Sequence, residues 1–293
     1  MTQMRRFKQV DVFTSVPLKG NPLAVILDAD GLTDGEMQAM ARWTNLSETT
    51  FVLKPTDPTA DYRVRIFTPD TEFPFAGHPT LGTAHALLEA GLQPKRPGFV
   101  IQECGVGLVP VKMLDDGGLA FSAPAAEITP LDDAHRPLLT VALAGGKIQS
   151  DVIPLVVNMG IRWLVVRMES AQACLDIVGN MQAIEQLQQG CGVDGVAVFG
   201  THAADGPADY EVRALLVEQG VLVEDPVTGS ANACLARVLK MQGFPDGENS
   251  AESYQVRQGT LRQRVGCVAV EYVGGEPWIG GHTCTLIDGT LTL

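Results

Sequence analysis

Apolar and polar positions alternate in short runs along most of the chain, and helical periodicity interrupts them in a few places. "FKQVDVFT" (7–14) alternates as a half-buried strand does, "PLKGN" carries turn chemistry, and "PLAVILDA" (22–29) reads as a second strand. "TDGEMQAMARWTN" (33–45) switches to helical spacing, with Met37, Met40 and Ala41 on one face. Thr33 followed three positions later by Glu36 is the capping-box signature of a helix start. "ETTFVLKP" (48–55) and "DYRVRIFTP" (61–69) are β-branched, apolar strands. "FAGHPTLGTAHALLEA" (75–90) is a loop that runs into a helix, and "GFVIQECGVGLVPVKML" (98–114) and "LAFSAPAAEITP" (119–130) add hairpin strands.

The same succession restarts near residue 150. "DVIPLVVNMG" and "RWLVVRM" are predicted strands around a turn at Gly160, and "SAQACLDIVGNMQAIEQLQQG" (170–190) is predicted as one helix. "DGVAVFG" and "DYEVRALLV" are strands, and "EDPVTGSANACLARVLKMQG" (224–243) is a second loop leading into a helix. Hairpin-like strands finish the chain. Gly229 falls on Gly77, Ser230 on His78 and Ala236 on Ala84 at a constant offset, and Glu48 falls opposite Asp194 at a slightly different one. This is a repeat at the scale of a domain. It predicts two related α/β halves, over 1–122 and 151–283, joined by a proline-rich linker at 123–150. A cleft between two such halves is the expected place for a ligand.

Composition narrows the function classes. The chain has 293 residues, 45% hydrophobic and 19% charged, which describes a well-cored globular protein. A net charge of −13 argues against nucleic-acid or anionic-membrane partners, which need clustered Lys and Arg. No run of apolar residues reaches membrane-spanning length and the first sixteen residues lack a secretory apolar core, so a cytoplasmic protein is expected. The six cysteines contain no CxxC pair, and the five histidines form no HxxH, HxH or HExxH, so no metal site is expected.

Several groups could carry chemistry. Each loop–helix segment offers backbone N–H groups at a helix start, where Gly77 and Gly229 let a ligand come close to the main chain. Two such loops facing one cleft would hold a carboxylate or a developing enolate, whereas one alone is an ordinary cap. His78, at a helix N-terminus, is expected to stay neutral and to exchange hydrogen bonds. Glu48, set among Ser47, Thr49 and Thr50 ahead of an apolar run, is either a solvated strand-entry residue or an acid/base group tuned by burial. Asp225, before Pro226, could hold a substrate amine or simply form a turn, and Ser230 could bind substrate or serve as an N-cap. His85 reads as a packed helix residue, and His135, His202 and His282 carry no assigned role.

"VDVFTSVPLKGNPLAV", "NLSETTFVL", "RIFTPDTEFPFAGHPTLGTAHAL" and "VEDPVTGSANACLA" together resemble the PhzF-like phenazine-biosynthesis isomerase family across nearly the whole chain. The resemblance implies a diaminopimelate-epimerase-like fold: two pseudo-symmetric halves, each a curled, mainly antiparallel sheet around a central helix. It implies a C-terminal strand, 284–293, returning to the first half. It further implies a homodimer, no metal or organic cofactor, and a proton shift on a small carboxylate-bearing substrate. By its motifs Glu48 is the base, His78 and Asp225 are further catalytic residues, and Gly77, Gly229 and Ser230 bind substrate. Racemases of the wider superfamily place a cysteine in each loop. Here Ala76 and Val227 or their neighbours stand there, and Cys234 lies a turn inside the helix. That disfavours the rival of a two-thiol amino-acid epimerase or racemase; a dehydratase of the same fold and a non-catalytic metabolite-binding protein also stay open.

Overall fold

The computed structural model describes residues 3–293 and divides into two compact units, one up to Ser122 together with Gly280–Leu293 and the other Ala123–Ile279. In the first unit the strands are β1 (Met4–Val12), β2 (Asn21–Ile26), β3 (Thr49–Leu53), β4 (Tyr62–Phe67), β5 (Glu72–Phe73), β6 (Phe99–Cys104), β7 (Gly107–Met113) and β8 (Leu119–Ser122). Its helices are α1 (Asp34–Thr44) and α2 (Gly77–Glu89). The second unit holds β9 (Glu127–Pro130), α3 (Arg136–Ala142), β10 (Leu155–Asn158), β11 (Arg162–Arg167), α4 (Ala171–Leu175) and α5 (Met181–Cys191). It continues with β12 (Gly195–Thr201), β13 (Tyr210–Glu218), β14 (Val221–Asp225), α6 (Gly229–Met241), β15 (Ser253–Gln258) and β16 (Gly266–Val273). Through β17 (Glu276–Gly281) the chain passes to β18 (Thr283–Thr292), which returns to the first unit.

The two units share one pairing scheme. β1 and β2 are antiparallel, β2 and β3 parallel, β3 and β4 antiparallel, β4 and β6 parallel, β6 and β7 antiparallel. In the same order β10 and β11 are antiparallel, β11 and β12 parallel, β12 and β13 antiparallel, β13 and β15 parallel, β15 and β16 antiparallel. β18 flanks β1 antiparallel as β9 flanks β10. The two-residue turn between β13 and β14, Gln219–Gly220, has both residues at positive φ, the type I′ geometry that suits strand twist.

α1 begins on the capping box of Thr33 and Glu36 and buries Met37, Met40 and Ala41 against Ile26, Phe51 and Phe67. It stops at Asn45, whose φ of 53° turns the chain directly toward Glu48 and β3. α2 is small or apolar on every side because strands on several sides pack against it. Gly82 shows how close that packing is. A Cβ there would lie 2.6 Å from Leu23 Cδ2 and 2.8 Å from Val12 Cγ2. Gly82→Val is therefore expected to destabilise the protein by about 1–3 kcal/mol, read as a lower urea midpoint at unchanged m-value.

Two expectations from the sequence are corrected. Residues 123–150 are not an irregular linker: they carry β9 and α3, and Leu131, Leu139, Ala142 and Leu143 join the core under β11–β13. Residues 170–190 are two helices, because Gly179 at φ 67° breaks the run and Asn180 caps a new start by accepting from Ala183 N. Among the described residues no helix is long and apolar enough to cross a membrane.

Candidate active site

The first unit brings Glu48 and His78 together. Glu48 Oε2 lies 3.4 Å from His78 Nε2, with the side chains 13% and 5% exposed. His78 is the second residue of α2, and Gly77 the first. No side chain caps this helix start and no acidic residue lies in its first turn, so the N–H groups of Gly77 and His78 have no intrahelical acceptor. Pro79 contributes no N–H, and the ladder begins with Thr80 N donating to Ala76 O at 3.2 Å. Burial pushes the His78 imidazole down to about 3 from its ordinary value of 6.5, so the ring is neutral. Its single N–H can then sit on Nε2, facing an ionised Glu48, or on Nδ1 when Glu48 carries the proton.

Buried hydroxyls hold this pair in place. Thr83 Oγ1 donates to Thr50 Oγ1 at 2.9 Å, tying α2 to the strand that follows Glu48. Thr44 and Thr49 hydroxyls meet at 2.7 Å across the connection between α1 and β3. Gln102 Nε2 donates to Thr80 Oγ1 at 3.0 Å, and Thr80 Oγ1 donates to Ala76 O at 2.9 Å.

In the second unit Asp225 ends β14, and Gly229 and Ser230 open α6. This helix start also lacks a side-chain cap and an acidic first-turn residue. Thr228 Oγ1 donates a short hydrogen bond to Asp225 Oδ2. Trp163 Nε1 donates to Ser230 Oγ at 3.0 Å, which fills a lone pair and leaves the hydroxyl proton to be directed elsewhere. The indole has room because its strand neighbour is Gly195, where a Cβ would stand 2.6 Å from Trp163 Cζ3. Glu224 faces the opposite side of β14 from Asp225. It pairs with buried Arg213, which also donates to the carbonyls of Cys174 and Ile177. In the "ED" pair the glutamate is thus structural. Asp194, opposite Glu48 in the repeat, is exposed and accepts from Arg162 N, so the carboxylate at that repeat position is not a buried one.

Burial pushes the Cys234 and Cys174 thiols far above their ordinary range, the wrong direction for a nucleophile. Among the described residues no three His, Cys, Asp or Glu side chains converge as metal ligands would. His85 bonds Thr285 Oγ1 at 3.1 Å and His202 bonds Glu211 at 3.1 Å.

The family model for phenazine biosynthesis-like proteins matches residues 10–289. The chain belongs to this family. The antisense-enhancing sequence 1 protein of Schizosaccharomyces pombe is 35% identical over 97% of both chains. The trans-2,3-dihydro-3-hydroxyanthranilate isomerase of Pseudomonas aeruginosa is 37% identical over 84% of both. A crystal structure of a Bacillus anthracis phenazine biosynthesis protein of the PhzF family superposes with a TM-score of 0.84, covering 99% of each chain at 23% identity. The fold is accordingly that of PhzF proteins, the diaminopimelate-epimerase-like fold, and the activity class is isomerase.

The sequence does not single out Thr228, Gln258, Asn232 or Trp163, although they support Asp225 and Ser230. One signal was present. "FVIQEC" and "YQVRQG" both place a glutamine two residues after a valine, and Gln102 and Gln258 occupy matching strands of the two units.

Proposed function

We propose that this chain is a cofactor-independent isomerase that moves a proton between carbons of a small carboxylate-bearing substrate, with Glu48 as the single acid/base. The observation that carries this reading is the buried pair of Glu48 and neutral His78, 3.4 Å apart at an uncapped helix start. A glutamate largely screened from water and placed against a non-titrating hydrogen-bonding group can take a proton from carbon and return it at a second position. The N–H groups of Gly77 and of Gly229 offer positive dipole ends to a carboxylate or enolate. Ser230 offers a hydroxyl and Asp225 an acceptor for an amine or hydroxyl of the substrate. His78 acts here by hydrogen bonding alone.

A relative named for trans-2,3-dihydro-3-hydroxyanthranilate isomerisation makes that acid the first substrate to test. A homodimer and a cytoplasmic location belong to the same proposal. The test is incubation of the protein with this acid and other small cyclic amino acids in deuterated water, followed by mass spectrometry. One deuteron per turnover in the isomerised product supports the reading. Tight binding without any exchange would make the protein a metabolite binder.

A further inference from the structure

The hydrogen bonds behind Asp225 have a forced direction. Gln258, fully buried at the end of β15, meets four groups: Thr228 N at 3.0 Å and Asn232 Nδ2 at 2.9 Å on Oε1, and Thr228 Oγ1 at 2.9 Å and Asp225 O at 3.2 Å on Nε2. A backbone N–H can only donate, so the atom facing Thr228 N is the amide oxygen. The amide nitrogen must then face Thr228 Oγ1. Amide hydrogens donate, so Thr228 Oγ1 accepts there and its own proton points at Asp225 Oδ2. Every donor and acceptor of Gln258 is in use, and Asn232 closes the frame by donating to Thr228 O at 2.8 Å.

The first unit has no equivalent of the Thr228 hydroxyl, because at the offset that matches Gly77 with Gly229, Ala76 stands where Thr228 does and Thr80 where Asn232 does. Gln102 donates to Thr80, and Thr80 donates to the carbonyl of Ala76, so that chain of bonds ends on backbone. Only in the second unit does a bond from the glutamine run through a hydroxyl to a carboxylate, among the described residues. We infer that Gln258 and Thr228 are positioning residues that set the plane of the Asp225 carboxylate through the relay Gln258 to Thr228 to Asp225. The inference rests on the reading of Asp225 as a group that holds substrate. Neither residue needs to touch substrate. Their effect is to fix one carboxylate oxygen, so that Asp225 meets an incoming donor in one orientation.

Thr228→Val removes the hydroxyl at constant shape, and Thr228→Ser keeps it. With trans-2,3-dihydro-3-hydroxyanthranilate, Thr228→Val is expected to raise KM about 10–100-fold with a smaller change in kcat. Thr228→Ser should restore KM to within about threefold of the parent. A merely structural role would lower the active fraction, reducing kcat at unchanged KM in both variants. Val equal to Ser and to the parent in KM would overturn the inference. If the parent protein does not turn over this acid, the reading of the reaction fails and the relay is judged without it. The Gln258 side-chain amide protons should exchange slowly by NMR in the parent, and at least one should exchange about tenfold or more faster in Thr228→Val. Unchanged exchange sinks the relay, whatever the substrate proves to be.

Discussion

Glu48→Gln is expected to lower the rate of proton exchange into substrate by about 10²–10⁴-fold while the protein stays folded. The substitution is nearly isosteric and keeps a hydrogen-bonding group opposite His78 Nε2, which Glu48 Oε2 faces at 3.4 Å. What it removes is the ability to accept a proton. Because His78 is neutral and cannot readily take a second proton, it does not replace the base. Binding of the substrate should survive, since the proposal places its carboxylate on backbone N–H groups and not on Glu48. The measurement is deuterium incorporation from solvent at saturating substrate, together with the unfolding midpoint as a control. Exchange within tenfold of the parent would remove Glu48 from the mechanism. If that residual activity were also lost on thiol alkylation, a cysteine-based racemase would take its place. The burial of Cys234 and Cys174 argues against this outcome.

Local chemistry made the elements readable. The capping box at Thr33 and Glu36 acts within one helical turn, and β-branched alternation acts within one strand, so both survive folding unchanged. The misread segments are those in which one signal hid another. Proline and polar residues in 123–150 concealed Leu131, Leu139 and Leu143, whose burial makes that stretch part of a core. Continuous helical spacing across 170–190 concealed the Gly179–Asn180 stop and start. His78 could be picked out because the loop around Gly77 occurs twice, and a doubled loop is more informative than either copy; Glu48 stood out by its hydroxyl-bearing neighbours ahead of an apolar run and by the family resemblance. Gln258 and Trp163 act through contacts across 30 or more positions, such as Thr228 N to Gln258 and Trp163 to Ser230. Spacing along the chain carries no trace of which hydroxyl a distant amide will meet.

Folding stability is expected to fall as pH is lowered from about 6.5, and His78→Gln should remove part of that slope. Burial holds the folded-state imidazole at about 3 against an ordinary 6.5. Between those values the unfolded chain binds a proton that the folded chain excludes, so stability is complete above 6.5 and is lost on acidification. One proton corresponds to about 1.4 kcal/mol per pH unit, so the parent should lose about 2 kcal/mol more than His78→Gln between pH 6.5 and 5. That window lies above the range in which paired carboxylates such as Asp28, Glu89 and Asp246 titrate, since their partners hold them low. Urea unfolding of both proteins across the window reads the difference directly. The opposing force is the Glu48 carboxylate, which favours an imidazolium at 3.4 Å. Burial of the ring wins because a charge moved out of water costs more than one imperfectly aligned partner returns. Parallel pH slopes in the two proteins would show that the folded ring titrates as the unfolded one does, and a parent that gains stability on acidification relative to His78→Gln would show an ion pair. In that case His78 would enter the reaction as an acid. With a neutral ring, any limb near pH 6.5 in the activity profile belongs to another group and persists in His78→Gln.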